Sequence, residues 1–176
     1  MSMAIRYRKM LGLALTLFAV LISSAADAAS YEFTWNGEGG YKMEGAFSIS
    51  DDLAKKAYID KSAIECFWIQ GYRSDVPIGS WSVGDLTPET TWSFGFKPQD
   101  LEFQMAGNRN EWNMNGTGRG CGKDGFGFHA GSYAQDICIN NRLITASQVT
   151  PRTPMMATRN DKIKFKSGDC VYFLSS

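Results

Sequence analysis

The sequence predicts an all-β fold, an antiparallel β-sandwich or a jelly-roll-like variant of one, from three observations. Residues 31–50 alternate apolar and polar side chains on both sides of the Gly39-Gly40 pair, a period of two that indicates a β-hairpin. About ten short segments of this kind follow one another, with turn residues between most of them. No helical period continues for more than about two turns. A closed barrel is the alternative.

The first hairpin is predicted to have one apolar face and one polar face. Tyr31, Phe33 and Trp35 alternate with polar residues before the turn, and Met43 and Phe47 continue the apolar face after it. An isolated hairpin is marginal in water, so the remaining chain has to supply a second layer.

The next segments are predicted as a short helical turn in residues 50–63 and two strands. Ser50 is the expected N-cap of the turn, followed by Asp51 and Asp52. Residues 64–72 are apolar at nearly every position, which indicates a central strand buried on both faces. Residues 76–83 form the second of these strands.

A second hairpin is predicted around the turn at residues 97–100. Trp92, Phe94 and Phe96 precede the turn, and Leu101 and Phe103 begin the returning strand. Each side again alternates with polar or small residues, so this hairpin should also turn an aromatic face toward the core.

The chain from residue 107 to 131 is rich in Asn and Gly, and we interpret it as a long surface loop followed by a strand at 126–130. Strands are also expected at 136–141 and 142–149. A final hairpin is predicted from residues 162–166, in which Lys162, Lys164 and Lys166 would protect an exposed sheet edge.

The N-terminus has the features of a secretory signal peptide, predicted to span residues 1–28. Arg6, Arg8 and Lys9 precede an apolar run at residues 10–22, and Ala26-Asp27-Ala28 offers a cleavage site. The run is shorter than the roughly 20 residues that a membrane span requires. We therefore expect a protein without a membrane span after cleavage, exported to the periplasm or the cell exterior, with residues 29–176 as a single β-sandwich domain.

The charge composition argues against nucleic acid as a partner. The chain carries 18 basic and 18 acidic residues, and the predicted signal peptide removes more basic than acidic ones. A balanced or slightly acidic domain has no general attraction for nucleic acid or for anionic membranes.

Four cysteines indicate two disulfides in an exported chain. Four cysteines allow three pairings. We prefer Cys121 with Cys138, which closes a short loop across the Gly-rich region, and Cys66 with Cys170. A zinc site would need closely spaced ligands, whereas these cysteines are far apart and His129 is the only histidine, so no metal or cofactor is predicted.

The candidate binding residues are Trp112, Asn110, Asn113 and Asn115. They lie together in the segment NRNEWNMNG, where an aromatic ring among amides suits stacking on a sugar while the amides bond hydroxyl groups. The alternative is that Trp112 anchors this segment in the core.

Catalytic signatures are weak. A serine nucleophile would have to use His129 as its base, and Ser132 is the nearest serine in the sequence. A glycosidase would need two facing carboxylates, for which Glu44, Glu65, Glu102 and Glu111 are available. No combination of these residues forms a recognisable motif.

Several segments of the chain resemble sequences in a group of uncharacterised bacterial exported proteins, some of which carry a C-terminal sorting tail of the PEP-CTERM kind. These segments are TWNGEGGYKMEGAFSISD, IECFWIQGYRSDVPIGSW, EWNMNG and FGFHAGSYAQDICINN. This sequence ends in FLSS and lacks the Pro-Glu-Pro motif of that tail. The resemblance implies export and a β-rich fold, and it implies no catalytic residues.

Together these features favour a non-enzymatic exported module that binds a glycan or another envelope component. A secreted hydrolase on the same scaffold, using His129 or a carboxylate pair, is one alternative. A structural matrix protein that associates through its sheet edges is another.

Overall fold

The computed structural model describes residues 28–105, 107–115 and 120–171. The predicted signal peptide therefore lies outside the described residues, except for Ala28. Strands are numbered in chain order below, and thirteen of them occur within the described residues.

The first layer is a five-stranded antiparallel sheet, which we call sheet I. Its spatial order is β13 (Ala157–Arg159), β1 (Ala28–Asn36), β2 (Tyr41–Ser50), β4 (Cys66–Arg73) and β5 (Val76–Ser82). The predicted first hairpin is confirmed as β1 and β2, joined through Gly39 and Gly40, both of which adopt positive φ. Glycine reaches this backbone region without the steric penalty that a Cβ imposes.

Two further antiparallel sheets form the opposite layer. Sheet II has the order β12 (Arg142–Leu143), β11 (Gln135–Ile139), β10 (Phe126–Ala130), β9 (Glu111–Asn115) and β6 (Thr90–Ser93). Sheet III has the order β3 (Ile59–Asp60), β7 (Gly95–Lys97) and β8 (Glu102–Phe103). All three sheets of the described residues are open at their edges, so the sandwich prediction is confirmed and the barrel alternative is wrong.

The core is an aromatic layer between sheet I and the other two sheets. Phe33 of sheet I lies 5.4 Å from Trp112 of sheet II and 4.8 Å from Phe103 of sheet III, measured between ring centroids. Phe67 lies 4.8 Å from Trp112. These distances suit edge-to-face and tilted packing, which stabilises aromatic pairs beyond the burial of their area.

The second predicted hairpin is confirmed only in part, because its first strand divides between two sheets. β7 pairs with β8, with Phe96 opposite Phe103, as the alternation indicated. β6, however, pairs with β9 of sheet II. Phe94 lies between the two strands and remains buried. The alternation of apolar and polar residues predicts which face of a strand is apolar, but it does not determine the strand with which it pairs.

The short helical segments are three-residue 3-10 turns, and the predicted cap was wrong. The turn Leu53–Lys55 has Asp52 at its N-cap instead of Ser50, which is the last residue of β2. A second turn, Lys61–Ala63, follows, and the Asp60 carboxylate accepts a hydrogen bond from the Ser62 N–H at 2.9 Å. β2 therefore extends to the position where the sequence suggested a helix start.

Both disulfides have the preferred pairing. Cys66 is bonded to Cys170 across 104 residues, and Cys121 is bonded to Cys138 across 17 residues. The second joins the segment after β9 to β11 and lies buried against Met114. No helix among the described residues has the length and apolar character needed to cross a membrane.

The predicted edge strand at residues 162–166 is wrong. These residues belong to a segment, residues 160–171, that lies on the outer face of sheet I and that we call the strap. Lys162, Lys164 and Lys166 are exposed, while Ile163 and Phe165 are partly buried. The alternation is therefore real, but Ile163 lies at the grooves on the outer face of sheet I, and residues 162–166 form no edge strand.

Candidate functional site

Trp112 does not form a sugar-stacking surface, so this part of the predicted site is corrected. It lies in the middle of β9, points into the core, and is 0% exposed. The rings of Phe67 and Phe128 lie 4.8 Å and 4.9 Å from it. The segment is a strand and not a surface loop, because Glu111–Asn115 pairs with β10 on one side and with β6 on the other, which its Asn content obscured in the sequence.

Asn110 is also buried, at 0% exposure, and has a structural role. Its side-chain oxygen accepts a hydrogen bond from the Gly95 N–H at 3.1 Å, and its amide nitrogen donates to the carbonyls of Gly95 and Gln104 at 3.1 Å and 2.9 Å. The Asn110 amide thus continues hydrogen bonding from sheet II to sheet III, and it is not available to a ligand.

Asn113 and Asn115 follow Trp112 on β9, where Asn113 has a positive φ of 53° and the pairing with β6 is irregular. Both line a shallow groove of about 370 Å³ near the edge of β5. The Asn113 side chain donates to the Phe126 carbonyl at 2.8 Å, which holds β9 against β10. Of the four predicted residues, Trp112 lies in the core, Asn110 joins sheet II to sheet III, and Asn113 and Asn115 line a groove. They therefore do not form one site.

The outer face of sheet I presents a different arrangement of polar and aromatic side chains. One row across all five strands consists of Thr158, Glu32, Ala46, Trp68 and Ser82. The next row consists of Thr34, Glu44, Gln70 and Ser80. Successive residues of a strand point to opposite faces, so the residues between these rows face the core.

The strap forms a wall along this face. At one end the Asn160 N–H donates to the Ser30 carbonyl at 2.8 Å, and the Ser30 N–H donates to Asp161 Oδ1 at 3.0 Å. At the other end the Ser82 hydroxyl donates to the Gly168 carbonyl at 2.8 Å, and the Cys66–Cys170 disulfide holds the chain to β4. Since β1 and β5 are separated by β2 and β4, the strap crosses two strands of the sheet.

Two grooves lie beside the strap, and Trp68 and Ile163 line both of them. The first has a volume of about 640 Å³ and is lined by Glu32, Thr34, Glu44, Thr158 and Met156, among others. The second has a volume of about 530 Å³ and is lined by Gln70, Tyr72, Ser80, Lys164 and Lys166, among others. Trp68 thus lies at the centre of one continuous surface made of hydroxyl, amide, charged and aromatic groups.

Trp68 was predicted to be a core residue, and the structure corrects this. Phe67 and Ile69 are fully buried, whereas Trp68 is only partly buried on the opposite face of β4. The other four tryptophans, Trp35, Trp81, Trp92 and Trp112, are buried. The sequence contained a usable signal, since Gln70 and the disulfide-bonded Cys66 share the face of Trp68.

A cluster of ionisable groups lies on the outer face of sheet II. His129 stands between Glu111 and Asp136, its cross-strand neighbours on β9 and β11. Its Nε2 lies 3.5 Å from Glu111 Oε1, and its Nδ1 lies 3.4 Å from Asp136 Oδ1. The other Asp136 oxygen accepts a hydrogen bond from Gln148 Nε2 at 3.0 Å.

Both pKa shifts in this cluster reflect its partial burial and its charges. The contact with Asp136 raises the pKa of His129, burial opposes this, and the charges of Asp136 and Glu111 add to the increase. Burial raises the pKa of Glu111, while the charge of His129 opposes it. At 3.4 Å the contact with Asp136 is long for a hydrogen bond, and it is an ion pair when His129 is protonated.

This cluster does not support a serine hydrolase. A catalytic histidine must leave one ring nitrogen free to accept the proton of the nucleophile. Here both nitrogens of His129 face carboxylates, and neither groove at Trp68 includes it. Among the described residues no group of three or more His, Cys, Asp or Glu side chains is arranged to hold a metal ion.

Comparison of the chain with protein-family models, with curated proteins and with solved structures found no match. The resemblance to exported proteins with a sorting tail therefore stays a prediction, and function has to be inferred from the side chains around Trp68.

Proposed function

We propose that the protein is exported and binds a glycan chain across the outer face of sheet I, with one sugar ring stacked on Trp68. The observation that supports this most directly is the partial exposure of Trp68, the one tryptophan of five outside the core, in a groove lined by hydroxyl and carboxylate groups. The predicted signal peptide and the two disulfides support export.

The chemistry of the surface suits a sugar. The apolar CH face of a pyranose packs on an indole ring, while its hydroxyls need donors and acceptors at the margin of that ring. Thr34, Thr158 and Glu32 supply these in the first groove, and Ser80 in the second. The Trp68 N–H has no hydrogen-bond partner among the described residues, so it remains available as a donor.

The position of Trp68 between two grooves favours a chain over a single sugar. A ligand that stacks on the indole would extend into the first groove on one side and the second on the other, since Trp68 lines both. Ala46, its neighbour on β2, is small and buried, so its side chain does not separate Trp68 from Glu32 in that row.

Binding can be tested with an oligosaccharide array followed by titration of the hits. We expect Trp68→Ala to weaken binding about tenfold or more, which corresponds to a loss of roughly 1.4 kcal/mol. Tyr133→Ala is the matched control, because Tyr133 is an aromatic residue 96% exposed and outside both grooves. Equal affinity of the Trp68 variant and the parent would contradict the proposal.

Hydrolysis of a bound glycan is a second candidate, favoured by Glu32 and Glu44 in the same groove. Glu44 is diagonal to Glu32 across the β1–β2 pair, where Cα atoms are roughly 7–8 Å apart. Glycoside hydrolysis uses a pair of carboxyl groups that flank the scissile bond. New reducing ends after incubation with a bound oligosaccharide, lost in Glu32→Gln, would establish this activity; an unchanged oligosaccharide would leave binding alone.

A further inference from the structure

The first groove carries only acidic ionisable groups. Glu32 and Glu44 line it, and no Lys, Arg or His does so. The second groove is balanced, because Lys164 and Lys166 face Asp85 and Asp169 there. A ligand that crosses Trp68 therefore meets an excess of acidic groups in the lining of one groove only.

The two carboxylates are only partly neutralised by their neighbours. Glu32 accepts a hydrogen bond from the neutral amide of Asn160 at 3.1 Å and has no cation within ion-pair distance among the described residues. Glu44 pairs with Lys42 at 3.0 Å, but Lys42 is shared with Asp75 at 3.6 Å. The groove thus keeps a net negative charge that a cationic group could compensate.

Trp68 adds a second preference for a cation. The face of an indole ring attracts ammonium groups, and tryptophan is the strongest of the aromatic residues in this respect. A ligand whose ammonium group lies near the indole and within reach of Glu32 or Glu44 would gain from both the aromatic ring and the carboxylates.

We propose that the glycan bound at Trp68 is one that carries free amino groups, such as a polymer of amino sugars, with its ammonium groups at Glu32 and Glu44. This rests on the proposed function, since it names the substrate class of the same site. A sugar is favoured over a lysine-rich peptide because the hydroxyl groups of Thr34 and Thr158 surround the two carboxylates.

The experiment compares three β-1,4-linked hexasaccharides that differ only at the second carbon of each ring. Glucose, N-acetylglucosamine and glucosamine carry hydroxyl, acetamide and ammonium there. We expect the glucosamine hexamer to bind tightest, and its advantage to decrease as salt is added.

Variants of the two glutamates test whether their charges cause this preference for glucosamine. Glu32→Gln and Glu44→Gln should each weaken binding of the glucosamine hexamer by roughly two- to fivefold, the range for exposed ion pairs, and should weaken that of the glucose hexamer by less. Glu38→Gln, which is exposed and outside the groove, is the matched control and should change neither.

The outcomes separate the two proposals. Equal binding of all three hexamers, with both glutamine variants unaffected, would overturn the amino-sugar inference and leave glycan binding at Trp68 intact. Absence of binding for all three hexamers would overturn the amino-sugar inference as well. Glycan binding at Trp68 would then be tested by the oligosaccharide array alone. Binding of hexalysine as tight as that of the glucosamine hexamer would also overturn it.

Discussion

At the scale of single residues, Trp112 and Trp68 lie in opposite environments. Both are tryptophans in strands, but Trp112 faces the aromatic core and Trp68 faces the groove. Which face of a strand is buried depends on where the second layer packs, and the residue type alone does not determine it.

Stability measurements should separate these two residues. Trp112→Ala should lower the free energy of unfolding by about 3–5 kcal/mol, because it leaves a cavity among well-packed rings. Trp112→Phe should cost clearly less, since it keeps a ring and removes an indole N–H that has no hydrogen-bond partner among the described residues. Trp68→Ala should cost about 1 kcal/mol. Chemical denaturation checks this; a larger loss in the Trp68 variant than in Trp112→Ala would contradict the assignment.

His129 should make stability depend on pH. Its pKa is raised in the folded protein, mainly by the contact with Asp136. The stabilisation is therefore fully present below the unfolded-state pKa of about 6.5 and is lost as the pH rises through the higher folded-state pKa. The raised pKa of Glu111 acts in the same direction in the acid range, since burial favours its protonated form.

Denaturation of the parent and His129→Gln at about pH 5.5 and pH 9 tests this. Glutamine cannot carry the charge, so the parent should exceed the variant in stability by more at the lower pH. The ionisable groups facing His129 across the sheet are Glu111 and Asp136. A difference between parent and variant that stays constant with pH would show that the charge of His129 contributes nothing.

At the scale of elements, the strap determines the shape of the grooves. It is held to β4 by the Cys66–Cys170 disulfide and to β5 by the Ser82 hydroxyl. The double variant Cys66→Ser/Cys170→Ser should lower the free energy of unfolding by about 2–4 kcal/mol and increase quenching of Trp68 fluorescence by acrylamide.

Cys121→Ser/Cys138→Ser is the matched control for the strap. It removes a buried disulfide on the other side of the molecule, so it should also reduce stability, but it should leave quenching of Trp68 unchanged. If both double variants change quenching to the same extent, the strap does not shield Trp68 specifically.

Much of the element pattern could be predicted from the sequence, because alternation is a local property. The hairpin at residues 31–50 and the strand at 126–130 follow directly from it. The strap illustrates the limit, since Ile163 and Phe165 alternate with lysines as in an edge strand, but Ile163 lies on the outer face of sheet I. Whether such a segment pairs at the edge of a sheet or lies on its face depends on which surfaces the other strands leave uncovered, and a local pattern does not contain that information.

The candidate site was less predictable for the same reason. Its residues come from β1, β2, β4, β5, β13 and the strap, so their proximity depends on strand order. Glu32 and Trp68 are in one row only because β2 lies between β1 and β4. Cysteine spacing, in contrast, was informative because the short loop between Cys121 and Cys138 favoured one pairing.

At the scale of the whole molecule, the two disulfides should be needed for the fold. A domain of this size is stable by roughly 5–15 kcal/mol, and two disulfides contribute a substantial part of that. Treatment with a reductant should therefore lower the thermal unfolding midpoint strongly, as measured by near-ultraviolet circular dichroism. An unchanged midpoint with free thiols at all four positions would contradict this.

The start of β1 has a consequence for maturation. Ala28 is paired with Ser50 in the finished sheet, and the predicted cleavage follows Ala28 directly. A peptidase has to draw the chain on both sides of the bond into its own cleft, and a residue already paired with β2 resists this. Removal of the predicted signal peptide should therefore precede closure of the hairpin, and a chain that folds before this removal should retain residues 1–28.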